Sequence, residues 1–184
     1  MSSAEIGSTP SAHTAEGGVL LGSEDARRRM VLFEDPQCPY CRQFEEVSGD
    51  LLRSARDEGD VAIEYRMRCF LGIESVRADN ALALAAEANR FDELRTALFA
   101  AQPPEGTGGF TTEDLQELGQ QAGLTGPDYV SGVKDGRYAR WVLKMEHSFQ
   151  EQDSQGTPAA WLDGEPLDPR VLTNPRALAA ELQS

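Results

Sequence analysis

The stretch Val31-Leu-Phe-Glu-Asp-Pro-Gln-Cys38-Pro39-Tyr40-Cys41-Arg-Gln-Phe-Glu-Glu-Val-Ser-Gly-Asp-Leu-Leu52 decides the fold. Met30 to Phe33 is a short apolar run that reads as a buried strand, and Asp35-Pro36 is a turn signal. A helical period starts at Pro39, with Phe44, Val47, Leu51 and Ala55 recurring as one apolar stripe. Two cysteines two residues apart therefore fall at a strand-to-helix junction, on the first turn of the helix.

That position has its own chemistry. Proline suits the first helical position, where a missing N–H loses no partner and φ is already helical. Pro39 there makes Cys38 the N-cap, with its sulfur expected to point at the free N–H groups of Tyr40 and Cys41 in the positive end of the helix dipole. Both effects favour thiolate over thiol, so Cys38 is predicted to have a lowered pKa and to be nucleophilic near neutral pH. Cys41 lies on the same face and deeper, within disulfide reach, placed to resolve a mixed disulfide formed at Cys38.

The composition sets the limits. The chain has 184 residues, 40% hydrophobic and 26% charged, which suits one domain with room for an elaboration. A formal charge of −14 argues against nucleic-acid binding, which needs clustered Lys and Arg. The compact basic run Arg27-Arg28-Arg29 reads as a solvated approach to the strand. Three cysteines are too few for a disulfide framework, and no stretch approaches the roughly 18 apolar residues of a membrane span. The start, Met-Ser-Ser-Ala-Glu-Ile, has neither the basic nor the apolar part of a signal peptide. Read as it stands, the chain is cytoplasmic; a missing targeting segment would place it in the cell envelope or outside.

Along the chain, residues 1–17 are rich in Ser, Ala, Gly and Thr and are expected to be disordered. Gly18 to Gly22 reads as a first short strand, Met30–Phe33 as a second, and Val61-Ala-Ile-Glu-Tyr-Arg66 as a third, parallel to the second across the helix. From 72 to 153 the pattern is helical only. Ser75–Asn89 is a helix with a wide apolar face, and Phe91, Leu94 and Leu98 stripe a second. Thr111 caps a third with Asp114 at the capping-box position, Pro127–Lys134 is shorter, and a long helix from Gly136 to about Asp153 buries Trp141, Val142, Met145 and Phe149. Strand character returns at Gly156-Thr157-Pro158-Ala-Ala-Trp-Leu162, with a tight hairpin at Asp163-Gly164. A final helix is capped by Asn174 with Pro175 at its first position. The order is β-β-α-β, a helical insertion, then β-β-α, dividing the chain into 1–17, 18–71 with 154–184, and 72–153.

This order, with Cys38-Pro39-Tyr40-Cys41 after the second strand and Thr157-Pro158 before the hairpin, resembles the thioredoxin fold. The insertion and the segment Phe33 to Cys41 resemble more narrowly the DsbA-like branch, of the thioredoxin-4 type. The resemblance implies a thiol–disulfide oxidoreductase with Cys38 and Cys41 catalytic, Pro39-Tyr40 as the active-site dipeptide and no cofactor or metal. It implies cysteine-containing protein substrates and a partner that recycles the dithiol. Thr157-Pro158 would be a cis-proline loop whose backbone at Thr157 meets an extended substrate chain, with the Thr157 hydroxyl tuning the thiolate. Two departures stand out. The family's buried acid, six residues before the first cysteine, is Leu32 here; the nearest acids, Glu34 and Asp35, are alternatives for that role, but as turn residues they are expected to be solvated. The dipeptide is Pro-Tyr where DsbA has Pro-His, which suggests a less oxidising couple, with Arg42 as partial compensation.

Other readings are open at the level of sequence. Cys-x-x-Cys is also half a zinc site, but the remaining candidates are only Cys69, His13 and His147. Two inert core cysteines would look the same. Cys69 reads as a small buried hydrophobe or, alternatively, as a regulatory thiol; His147 reads as a helix-face histidine, and Trp141 and Trp161 as core. Tyr40 is expected to be exposed beside the sulfurs. The rival functions are a glutaredoxin-like enzyme using glutathione-type thiols and a non-catalytic binding module.

Overall fold

The computed structural model describes residues 13–150 and 156–184. Five strands form one mixed sheet: β1 (Val19–Leu21), β2 (Arg28–Glu34), β3 (Val61–Met67), β4 (Ala159–Leu162) and β5 (Glu165–Pro166), in the spatial order β1-β3-β2-β4-β5. β2 and β3 are parallel, with Leu32 opposite Tyr65, and every other pairing is antiparallel. The parallel pair is possible because α1 (Pro39–Asp57) carries the chain across. The helical insertion runs as α2 (Ile73–Glu87), α3 (Phe91–Ala100), α4 (Thr112–Gln121), α5 (Pro127–Asp135) and α6 (Ala139–Gln150). After β5 come α7 (Pro169–Leu172) and α8 (Pro175–Gln183). This is the expected thioredoxin fold with an all-helical insertion.

β2 is the strand that delivers the cysteines, and Met30, Leu32, Phe33 and Glu34 are all buried on it, as befits a strand covered on both faces. Alternation puts Leu32 and Glu34 on one face and Phe33 on the other. Phe33 meets Phe149 of α6 and Trp161 of β4 edge-on, with ring centroids 5.4 and 5.3 Å away. Local signals hold where their chemistry is complete. Thr111 and Asp114 close a capping box, Asn174 caps α8, and Asp163 and Gly164 both take positive φ in the β4–β5 turn.

Several expectations are corrected. The buried face of α1 is Cys41, Phe44, Glu45, Ser48, Leu52 and Ala55, while Val47 is exposed. Two polar residues are tolerated there because both are partnered: the Ser48 hydroxyl donates to Leu172 O at 2.8 Å, and Glu45 binds arginines. Arg28 and Arg29 lie within β2, and Arg28 ties the strand to Asp163 and to Glu181 O. Gly136 is the left-handed cap of α5, so the last insertion helix starts only at Ala139. Trp161 is half-buried. The four-residue α7 was not expected, being too short to show a period. Of the segment expected to be disordered, residues 1–12 lie outside the described residues, but His13 packs its ring on Trp141 and Thr14 donates to Glu64 at 3.0 Å. The expected end of the insertion, at 153–154, also lies outside the described residues.

Candidate active site

Cys38 is the N-cap of α1, with φ −68° and ψ 118°, and Pro39 takes the first helical position. The turn before it is closed by Cys38 N–H donating to Asp35 O at 2.9 Å. All three cysteines are free thiols. Cys41 is fully buried and Cys38 is nearly so, and both pack with Phe99 and Leu71 in a small apolar cluster separate from the main core. Instead of capping the first turn, the Cys38 sulfur points across to the β4 side, where its thiol donates to Thr157 O at 3.3 Å. The Thr157–Pro158 peptide bond is cis. Thr157 Oγ1 is buried beside the sulfurs and has no hydrogen-bond partner.

The two thiols differ sharply in acidity. A hydrogen bond from the Cys41 thiol, against the opposing effect of burial, holds Cys38 down at about 6. The Thr157 side chain and the backbone N–H groups of Cys41 and Tyr40, near the sulfur but short of hydrogen-bond geometry, add smaller pulls in the same direction. Burial pushes the Cys41 thiol well above the ordinary range, and the same hydrogen bond and the charge of Glu34 add to the effect. One thiol is poised to ionise near neutral pH while its neighbour keeps its proton.

The acids before the cysteines are not solvated. β2 continues to Glu34, which points to the same face as Leu32 two residues earlier and is fully buried. Arg95 of α3 meets it with two parallel hydrogen bonds of 2.7 Å and donates a third, of 2.6 Å, to Glu45 on α1. The guanidinium lies 4.7 Å from the Tyr65 ring centroid and 5.1 Å from that of Phe99, the ring that packs on the cysteines. Burial raises the Glu34 carboxyl, with Arg95 opposing. Burial also opposes ionisation of Glu45, but Arg95 and Arg53 outweigh it and hold that carboxyl low. Asp35 is equally buried and accepts from the Ser75 hydroxyl at 2.6 Å, Gln37 N–H at 2.9 Å and Leu71 N–H at 3.2 Å; burial pushes it up to about 6.

Residues of the helical insertion thus line the back of the site, and Arg95, Ser75 and Gln102 are the ones that sequence reasoning missed. Each meets the Cys38 loop from 38 to 66 positions away, so no local pattern marks it. Arg42, expected to help the thiolate, is half-exposed and pairs with Glu46 at 3.5 Å. Tyr40 is 67% exposed, and with Thr157, Pro158, Trp161 and Leu167 it lines an open groove of about 440 Å³. Cys69 is buried, its thiol pushed up by burial and by Asp79, and its N–H donates to Glu146 at 2.9 Å. His147 is exposed on α6. Among the described residues no group of three or more His, Cys, Asp or Glu is arranged to hold a metal ion, and no helix is long and apolar enough to cross a membrane.

The family model described as Thioredoxin, of the thioredoxin-4 type, matches residues 14–175. Among solved structures the chain is similar to oxidised DsbA of Mycobacterium tuberculosis, with 25% identity and a TM-score of 0.78 over 90% of this chain and 91% of that one. The reduced disulfide bond oxidoreductase DsbG of the same organism gives 24% and 0.79 over 90% and 86%. MdbA, a thiol–disulfide oxidoreductase of Actinomyces oris, gives 18% and 0.82 over 99% and 92%; at these last two identities the likeness is one of fold. No curated protein matches the chain in sequence.

Proposed function

The chain belongs to the thioredoxin family, in its DsbA-like branch, and from that premise we propose that it exchanges disulfides with protein thiols through Cys38 and Cys41. The observation that carries the reading is the placement of two free thiols at the start of α1, Cys38 at the N-cap against Thr157 O and Cys41 fully buried one turn on, and their opposed acidity agrees with it. In the oxidising direction a substrate thiolate attacks Cys38 Sγ of the Cys38–Cys41 disulfide. A new S–S bond forms to Cys38, the old one breaks, and the electron pair leaves on Cys41 Sγ, which takes up a proton. A second substrate thiolate then attacks the substrate sulfur of the mixed disulfide, releasing an oxidised product and leaving Cys38 as thiolate. Two electrons pass from substrate to enzyme, and a partner of opposite redox state returns the pair to its starting form. Reversed, the same steps reduce a substrate.

The lowered pKa of Cys38 makes it the better leaving group and the readier nucleophile, and the more deeply buried Cys41 fits the resolving role. The groove of Tyr40, Thr157, Pro158 and Trp161 supports docking of an extended, cysteine-containing chain against Thr157. Cys38→Ser is expected to abolish reduction of insulin disulfides while leaving the circular dichroism spectrum intact; unchanged activity would overturn the enzymatic reading. Equilibration with glutathione gives the direction. A potential of about −120 to −180 mV fits an oxidant or isomerase outside the reducing cytosol, and one near about −270 mV fits a reductant.

A further inference from the structure

We propose that Gln102, reaching in from the α3–α4 loop, is a positioning residue that holds the Cys38 loop in the geometry of the dithiol form and so helps set the potential of the pair. The inference rests on the reading of Cys38 and Cys41 as a redox couple. Gln102 is almost buried, and its Nε2 donates to Pro36 O at 2.8 Å and to Cys38 O at 3.0 Å. Both partners are carbonyls and can only accept, so the NH2 end must face them and both of its hydrogens are used. The Cys38 carbonyl is also where the loop joins the helix, accepting from Cys41 N–H at 3.1 Å and Arg42 N–H at 3.2 Å. One side-chain amide therefore spans the residues on either side of Gln37 and fixes the peptide that launches α1.

A second amide braces the same loop from the other side. Gln37, itself buried, donates to Leu71 O at 3.2 Å and Ser75 Oγ at 3.0 Å, and its Oε1 accepts Gly106 N–H at 3.1 Å. Gly106 and Gln102 belong to one loop, so the α3–α4 connection grips the active-site turn at two points. The consequence differs between redox states. In the disulfide form the S–S bond itself ties Cys38 to Cys41. In the dithiol form no covalent link does so, and the Cys38 sulfur carries the negative charge of a thiolate once it ionises. A contact that matters in one state more than in the other shifts the equilibrium between them. The N–H dipoles that Gln102 aims at the Cys38 carbonyl favour the negative charge of the thiolate and do nothing comparable for the neutral disulfide, so Gln102 favours the dithiol and, with it, the oxidising power of the disulfide.

The test uses the whole chain with Gln102→Met, close in size but without the donors, and Gln102→Glu, which turns a carboxylate toward two carbonyl oxygens. Two quantities are read: the equilibrium constant against glutathione, and the pH midpoint of Cys38 alkylation by iodoacetamide. Gln102→Met is expected to favour the disulfide by about tenfold, roughly 30 mV toward a more reducing potential, and to move the alkylation midpoint upward. Gln102→Glu is expected to move both further in the same direction, and Gln102→Asn, polar but too short to span both carbonyls, carries the comparison should the Met variant fail to fold. A lower melting temperature with potential and midpoint unchanged is the signature of a purely structural residue and overturns the proposal. A wild-type chain with no reversible couple overturns the parent reading instead, and that is seen before any variant is made.

Discussion

Two buried polar regions of this molecule are built on opposite terms. Beside the redox pair, Glu34, Glu45 and Arg95 are all buried, and each charged atom has a partner: both Glu34 oxygens take Arg95, and Glu45 divides its two between Arg95 and Arg53. One turn beyond Ser75 on the insertion's first helix, Asp79 is 3% exposed and neither carboxylate oxygen has a partner. It faces a cavity of about 20 Å³ that it shares with His13, whose Nδ1 is likewise buried and unpartnered. The first region keeps its charges by pairing them. The second gives them up: burial, then the charges of Asp35 and Glu146, push the Asp79 carboxyl far upward, and burial pulls His13 down to about 4 against the pull of Glu87. The cost of a buried ionisable group lies in what is left unpaired, and a protein can escape it by partner or by proton.

The strongest way to break the contrast is to remove the one cation that three elements share. Arg95→Met leaves the Glu34 carboxylate with no cation and Glu45 with Arg53 only, and is expected to cost about 3–5 kcal/mol in denaturant unfolding at pH 7. The deficit should shrink on acidification. Without Arg95 the Glu34 carboxyl is raised further, and a group whose folded pKa lies above its unfolded value loses stability as pH rises between the two. Adding Glu34→Gln to the same chain should recover part of the loss. A cost below about 1 kcal/mol at pH 7 would mean that the cluster is solvated after all.

Asp79→Asn should act with the opposite sign. The amide matches the carboxyl in shape and is no better satisfied, so the difference is the proton alone. Folding makes the Asp79 carboxyl hold its proton more tightly, because its folded pKa lies well above the unfolded value. The stability cost therefore grows as pH rises above about 4 and is absent below it. The variant should gain on wild type at pH 7 and not at pH 3, the gap opening as pH rises. A loss at pH 7 would show that the carboxylate is charged and partnered there, which would put the two regions on the same terms.

How much of this was legible follows the range of each interaction. The N-cap position of Cys38, the capping box at Thr111 and Asp114, the Asn174 cap and the Asp163-Gly164 hairpin each depend on residues within a turn of one another and stand as read, except that the Cys38 sulfur turns to Thr157 O instead of the first-turn N–H groups. The face of α1 did not, because apolar periodicity counts Val47 and passes over Glu45 and Ser48, which are buried only by virtue of Arg95 and Leu172 O. Glu34 and Asp35 misled for a related reason. Two acids beside a proline have the look of a turn, and only a cation 61 positions away and a serine 40 positions away turn them into interior groups. The Cys38 and Thr157 pairing was legible through family resemblance, spanning 119 positions that no local rule bridges. Gln102 had no such help.

The smallest effect is expected at His13, and it isolates the second region from every other titration. His13→Phe keeps an aromatic edge against Trp141, whose centroid is 4.4 Å from the present ring, and removes the proton site. The folded pKa of about 4 lies below the unfolded value of about 6.5. On acidification the unfolded chain therefore takes its proton first, and wild type loses stability progressively from about pH 6.5 down to about pH 4, with no contribution above that window. Asp35 works the other way, since its raised folded value of about 6 makes stability fall as pH rises from 3.8 to 6. Both chains carry Asp35, however, so it cancels in their difference. Melting curves at pH 4.5 and 7.5 should show the Phe variant gaining on wild type at the lower pH by on the order of 1 kcal/mol, a figure reduced for the partial exposure of the ring. A gap that is the same at both pH values would place the imidazole in water, and the cavity beside Asp79 would then need another occupant for its unpartnered wall.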